Sequence, residues 1–158
     1  MSIVETWQTE SSSSDATYAL GEQLGRRCRG GEVFLLISDL GGGKTTLTKG
    51  LAAGLGSDDS VGSPSFTINR VYKCSNNLSL HHFDFYRLQD GGIVTHELSE
   101  VLDDPRAVVA IEWGDAVSDA LPLNRIEIDL KRMAEDESRR QIIIKYPAGV
   151  AYIFKDLK

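Results

Sequence analysis

The chain has 158 residues, 41% hydrophobic and 25% charged, with 17 Lys and Arg against 23 Asp and Glu for a net charge of −6. That balance fits one soluble globular domain and excludes a disordered chain. Two cysteines with no Cys or His at zinc-ligand spacing exclude a disulfide framework and point to reduced thiols. The acidic total argues against nucleic-acid binding by bulk charge, and the longest apolar runs, 33–37 and 107–111, fall far short of the roughly twenty residues that span a bilayer.

The opening residues Met1-Ser2-Ile3-Val4-Glu5-Thr6-Trp7 have neither the basic start nor the apolar stretch of a signal peptide, so a cytoplasmic protein is expected. A single domain over 1–158 is expected, with 1–13 as a loosely attached arm that runs into the serines at 11–14. From 15 to 28, Ala16, Ala19, Leu20 and Leu24 give one buried helical face, with Ser14 or Thr17 as candidate cap. Arg26, Arg27 and Arg29 suit the carbonyl end of that helix, and Gly30-Gly31 stop it. The run 33–37 is apolar on both faces, as a central parallel strand would be. Leu47, Leu51 and Leu55 then stripe a helix over 44–55 that Gly54 and Gly56 end.

Two β-rich runs, 66–73 and 78–86, joined by Cys74-Ser75-Asn76-Asn77, predict an antiparallel hairpin. The segment 89–104 predicts a short helix that Pro105 breaks, and 107–112 a central strand. A second hairpin is expected from strands 124–131 and 141–146, with the polar residues 134–138 between them. Roughly seven strands and three or four helices result, an α/β fold with a mixed sheet.

Between the strand 33–37 and the following helix lies Ser38-Asp39-Leu40-Gly41-Gly42-Gly43-Lys44-Thr45, the layout of a P-loop. Glycines let successive backbone N–H groups turn around phosphate oxygens, and the helix N-terminus adds partial positive charge. Lys44 would reach the β- and γ-oxygens, and the Thr45 hydroxyl would ligate Mg²⁺. The first position of the usual pattern is glycine, here Ser38, which supplies the same backbone groups if its φ stays negative.

Such a loop needs a carboxylate at the end of a neighbouring strand to hold the metal shell or orient water. Glu112 ends the apolar run 107–111, and Asp84 lies in Leu80-His81-His82-Phe83-Asp84-Phe85-Tyr86. Alternation places Asp84 and His82 on the face opposite Phe83 and Phe85. It also turns the adjacent His81 and His82 apart, which favours a structural role or exposure over a metal pair. Trp113 is either a core aromatic or a stacking surface.

Four motifs in order carry a family resemblance: Asp39-Leu40-Gly41-Gly42-Gly43-Lys44-Thr45-Thr46, Ser63-Pro64-Ser65-Phe66-Thr67, His82-Phe83-Asp84-Phe85-Tyr86-Arg87-Leu88 and Ile111-Glu112-Trp113. Over about residues 14–140 the chain resembles the TsaE family of bacterial P-loop ATPases. The resemblance implies a P-loop NTPase-like three-layer α/β fold with a central mixed sheet, Mg²⁺-ATP binding and slow hydrolysis. It also implies work in a complex with TsaD and TsaB that forms threonylcarbamoyladenosine at position 37 of tRNA, the tRNA being met through the complex.

Carried over, Gly41, Gly42, Gly43, Lys44, Thr45 and Thr46 would cradle the phosphates, Thr45 and Glu112 would hold Mg²⁺, and Asp84 would sit by the γ-phosphate. Lys44, Asp84 and Glu112 would thus be the catalytic set. Ser63, Ser65 and Thr67 would belong to a switch segment that senses the γ-phosphate, and Ser14 and Arg139 would make adenine or phosphate contacts. The family usually has Gly at Ser38, Ala at Gly42 and Thr at Ser65.

Two further readings compete. A small-molecule kinase of the P-loop class would need an Arg-rich lid, whereas the arginines here cluster at 26–29 and 139–140. A non-hydrolysing scaffold with a degenerate loop, marked by Ser38, is the other. No Asn-Lys-x-Asp run for guanine is present, which disfavours a GTPase.

Overall fold

Seven strands form one mixed sheet: β1 (Val4–Ser11), β2 (Val33–Ile37), β3 (Asn69–Lys73), β4 (Ser79–Asp84), β5 (Ala107–Glu112), β6 (Ile126–Met133) and β7 (Asp136–Pro147). Their order is β1-β7-β6-β2-β5-β4-β3. This computed structural model describes residues 4–38, 43–58, 69–85, 92–113 and 119–157. Strands β6, β2, β5 and β4 run parallel in the middle, and the antiparallel neighbours β7, β1 and β3 flank them. A parallel block buried on both faces needs apolar residues at successive positions, and β5 is buried at every one.

Helices α1 (Ser14–Arg27) and α2 (Lys44–Gly54) cover one face, and α3 (Gly92–Leu102) the other. The α1/α2 side packs Leu24, Phe34, Leu47, Leu51, Leu80 and Ile128 into one core. On the α3 side, Val33, Phe83, Phe85, Val109, Ile111 and Leu98 form a second. The three-layer α/β fold with a mixed sheet is thus the one observed.

Glycines set the distance between α1 and α2. A Cβ on Gly50 would lie 2.1 Å from the Tyr18 carbonyl oxygen, and one on Gly21 would lie 2.3 Å from that of Leu47. The helices therefore touch backbone to backbone, which fixes where α2 begins at the sheet edge. Gly54, read from the sequence as a terminator, is the last residue of α2 and packs on α1, while Gly56 beyond it takes a φ of +88°.

Three expectations change. Residues 4–11, expected as a loosely attached arm, are the edge strand β1, paired with β7 from Val4↔Pro147 to Ser11↔Arg140. The cap of α1 is Ser13, whose Oγ accepts from the Ala16 N–H at 3.1 Å, in place of Ser14 or Thr17. The second hairpin turns tightly at 134–135, because β7 already begins at Asp136, which with Ser138 and Arg139 is exposed at the sheet margin.

The chain after β7, where no element was expected, winds through a 3-10 segment, Ala148–Ile153, that packs Ile153 and Phe154 into the α1/α2 core. Arg27 Nη1 donates to the carbonyls of Ile153, at 2.9 Å, and Lys155, at 2.5 Å. Among the described residues, no helix is long and apolar enough to cross a membrane.

Candidate functional site

The parallel strands β2, β5 and β4 end together at Ile37, Glu112 and Asp84, with Leu36, Glu112 and Asp84 side by side in register. Carboxyl ends of parallel strands are where α/β sheets open to ligands, because the connections there lead away to helices. The chain leaving β2 returns at Gly43, whose φ of 106° only glycine adopts without strain, and α2 starts at the next residue. No side chain caps α2 and no acid lies in its first turn, so its positive end is presented to this edge.

Lys44 opens α2 with its side chain nearly buried. Its Nζ donates to the Ser38 carbonyl at 3.3 Å, lies 4.0 Å from Glu112 Oε1 and stands 4.0 Å from the centre of the Trp113 ring. A buried ammonium needs such company, and carbonyl, carboxylate and aromatic face supply it. Ser38 is not among the residues with positive φ, so the position does not require the glycine of the usual pattern. Trp113, by contrast, takes a φ of 58°, an outlier for a bulky residue, and its ring covers Lys44.

Glu112 is 4% exposed. Its Oε2 is 2.5 Å from His82 Nε2, while Oε1 faces Lys44. Asp84 stands directly beside Glu112 in the β4–β5 register, and Leu36 on its other side, so the two carboxylates share the face that α2 covers. Thr45 and Thr46, half-buried, follow Lys44 on the first turn of α2.

The structure therefore brings together Gly43, Lys44, Thr45, Thr46, Asp84 and Glu112. Ser14 is exposed on the first turn of α1, one turn before Thr17, whose methyl group lies 3.8 Å from the Cβ direction of Gly43. Arg139 is engaged elsewhere: its Nη2 pairs at 2.5 Å with Glu10 Oε2 across β1 and β7. Gly41, Gly42, Ser63, Ser65 and Thr67 lie outside the described residues.

Sequence reasoning did not count His82 among the site residues. Alternation had placed it on the face of Asp84; what it could not give was that β5 lies beside β4 in the register His82↔Ala110, which sets His82 diagonally against Glu112. His81 points the other way, as expected, and bonds Ser79 Oγ at 3.0 Å. Burial lowers its pKa below the ordinary histidine value, against the opposing pull of Asp104 and Glu97.

The donor set is one of hard oxygens, Glu112, Asp84 and the Thr45 hydroxyl, beside a lysine and an uncapped helix end. Among the described residues, no group of three or more His, Cys, Asp or Glu forms a metal cage. The oxygens of Glu112, Asp84 and Thr45 would suit Mg²⁺ carried on a polyphosphate, since Mg²⁺ takes one or two protein oxygens and completes its shell with phosphate and water. The chemistry such an arrangement can perform is binding and charge neutralisation of a nucleoside triphosphate.

The family model described as threonylcarbamoyl adenosine biosynthesis protein TsaE matches residues 11–142. The chain is 37% identical over 134 residues to the tRNA threonylcarbamoyladenosine biosynthesis protein TsaE of Bacillus subtilis, which covers 83% of this chain and 80% of that one. It is 36% identical over 118 residues to the protein of the same name from Streptomyces coelicolor, with 74% and 80% covered. The crystal structure of Bacillus subtilis YdiB superposes with a TM-score of 0.74 at 26% identity, over 99% of this chain and 97% of that one.

Proposed function

The chain belongs to the TsaE family, and from that premise we propose that it is a cytoplasmic ATPase acting in the formation of threonylcarbamoyladenosine at position 37 of tRNA. In this reading it binds Mg²⁺-ATP at the N-terminus of α2, hydrolyses it slowly, and works as a nucleotide-dependent switch in a complex with TsaD and TsaB. The observation that carries the reading is Lys44, buried at the start of an uncapped helix with Glu112 Oε1 4.0 Å from its ammonium.

Each residue then has a task. The backbone N–H groups of the first turn of α2, which no side chain caps, donate to phosphate oxygens, and Lys44 leaves the Ser38 carbonyl and the Trp113 ring for the β- and γ-oxygens. Glu112 and Thr45 would hold the metal, and Asp84, beside Glu112, would orient the attacking water. Bound Mg²⁺ would supply charge neutralisation of the phosphates. The segment containing Ser63, Ser65 and Thr67 reads the γ-phosphate and passes its presence to the partners.

Two observations favour the switch over a small-molecule kinase. Arg27 is spent on the carbonyls of Ile153 and Lys155, and Arg29 stacks 4.0 Å from the Tyr152 ring centre. Both serve the C-terminal segment, so this cluster is not a phosphate-clamping lid.

Calorimetric titration with Mg²⁺-ATP and Mg²⁺-ADP, on the wild type and on Lys44→Ala, tests the reading. Saturable binding is expected, lost in the variant, together with loss of tRNA modification in a reaction reconstituted with TsaD and TsaB. A folded Lys44→Ala protein that still supports modification would overturn the switch, and a wild type that binds no nucleotide alone or in the complex would favour the scaffold.

A further inference from the structure

We propose that His82 is a positioning residue that fixes the Glu112 carboxylate, holding one oxygen so that the other is presented to the metal and to Lys44. The proposal rests on the reading of Glu112 as a magnesium ligand given above.

Glutamate has three side-chain torsions and would sample several carboxylate positions at the end of β5 if nothing held it. In the structure the imidazole Nε2–H donates to Glu112 Oε2 at 2.5 Å, and His82 is completely buried, so no water competes for that bond. Oε1 is left facing Lys44 Nζ, 4.0 Å away, at the mouth of α2. Because His82 precedes Asp84 by two residues on β4 and Glu112 stands beside Asp84, the same bond pins β4 to β5 where both carboxylates emerge.

The environment of the ring argues that this bond is the reason for the histidine. His82 lies on the face of β4 that also carries Leu80, a residue with no exposure in the core under α1 and α2. Its Nδ1 has no hydrogen-bond partner among the described residues. Burying an imidazole with one nitrogen unsatisfied costs stability that a leucine at this position would not. The described residues around the ring satisfy one nitrogen, and they do so through Glu112. Groups behind a metal ligand that orient it in this way matter to metal affinity almost as much as the ligand does.

The test is ADP binding by calorimetry, once with Mg²⁺ and once with chelator, so that the gain in affinity due to the metal is read separately from affinity for the nucleotide. Five proteins are compared: wild type, His82→Leu, His82→Gln, Glu112→Gln and the double variant His82→Leu/Glu112→Gln. His82→Leu is expected to lose roughly tenfold or more of the metal-dependent gain while keeping the metal-free affinity. His82→Gln, whose amide nitrogen reaches the place of Nε2, is expected to restore most of it. Glu112→Gln is expected to lose the gain as well, and adding His82→Leu to it should change nothing more.

If His82→Leu keeps the gain and Glu112→Gln loses it, the positioning role is overturned while Glu112 remains the metal ligand. If Glu112→Gln keeps it, the reading of Glu112 falls and this proposal with it. Should His82→Leu fail to fold, long-range proton–nitrogen NMR on the wild type decides. A proton on His82 Nε2, shifted downfield and slow to exchange with and without Mg²⁺-ADP, is expected, and a proton found on Nδ1 alone overturns the proposal.

Discussion

Lys44 Nζ stands 4.0 Å from the centre of the Trp113 ring, and Trp113 holds a φ of 58° at the position where that ring covers the lysine. A bulky residue in the left-handed region costs about 1–3 kcal/mol, so the rest of the site over-determines this placement. In the proposed function the ammonium moves to phosphate when nucleotide arrives, and the indole loses its charged neighbour. The emission of Trp113 should therefore change saturably on titration with nucleotide. The chain has two tryptophans, so Trp7→Phe isolates the signal. The midpoint should match calorimetry, and Lys44→Met should abolish the change; a spectrum unmoved through saturation would show that the lysine stays on the ring.

Gly50 against Tyr18 is a steric statement with a direct consequence for α2. A Cβ at Gly50 would sit 2.1 Å from a backbone oxygen, which no side-chain rotation relieves. Gly50→Ala should destabilise the fold by about 1–3 kcal/mol despite the better helix propensity of alanine. The thermal midpoint should fall by about 2–4 °C for each kcal/mol in a chain of this size. Gly149, with nothing within 4 Å of its Cβ direction, is the control and should tolerate alanine. Equal midpoints for the two variants would mean that α1 can slide away from α2 at little cost.

The elements that the sequence made legible are those with one dominant physical signal. The run 33–37 and the run 107–112 are apolar at successive positions, which only a strand covered on both faces tolerates, and both lie at the centre of the sheet. Lys44 and Glu112 were legible because a glycine loop before a helix and an acid after an apolar strand are patterns of spacing. Strand β1 was not, since it alternates weakly, exposes most of its residues and is held by backbone pairing to β7, which composition does not record. The C-terminal segment gave no periodic signal either, because its order comes from Arg27 and from Glu32, which accepts from the Arg29 and Gly30 N–H groups at 2.8 Å each and from the Tyr152 hydroxyl. His82 needed the strand order: its partner is thirty residues away on a neighbouring strand.

The attachment of β1 can be measured. Trp7 packs against the core under α1, and Ser11, 3% exposed, bonds Thr17 Oγ1 at 2.6 Å and the Ser13 carbonyl at 2.8 Å. Deleting residues 1–10 removes the pairing with β7 and the Trp7 contact, and should cost roughly 2 kcal/mol or more in denaturant unfolding. Amide exchange along β7 should accelerate in the deleted protein at the positions that paired with β1, with β5 unchanged. Full stability after deletion would return 1–10 to the status of an accessory arm.

Alkaline pH should loosen the C-terminal segment, and the sign follows from Tyr152. Burial first, and then the Glu32 carboxylate that accepts its hydroxyl, raise the ionisation of Tyr152 well above the ordinary tyrosine value of 10.0. The folded chain thus keeps a proton that the unfolded chain releases as pH passes about 10, so the unfolded state binds fewer protons and stability falls as pH rises. Tyr146, raised by burial and by Glu5, adds to the same slope. Cys28, whose thiol burial pushes well above its ordinary value, contributes from lower pH, so the denaturant midpoint should begin to fall near about pH 9 and fall more steeply above about pH 10. In Tyr152→Phe the decline should be shallower, since one of the linked protons is gone. Parallel declines in the two proteins would mean that the Tyr152–Glu32 contact is broken before the tyrosine ionises, and that the segment is anchored by Arg27 and the apolar packing of Ile153 and Phe154 instead.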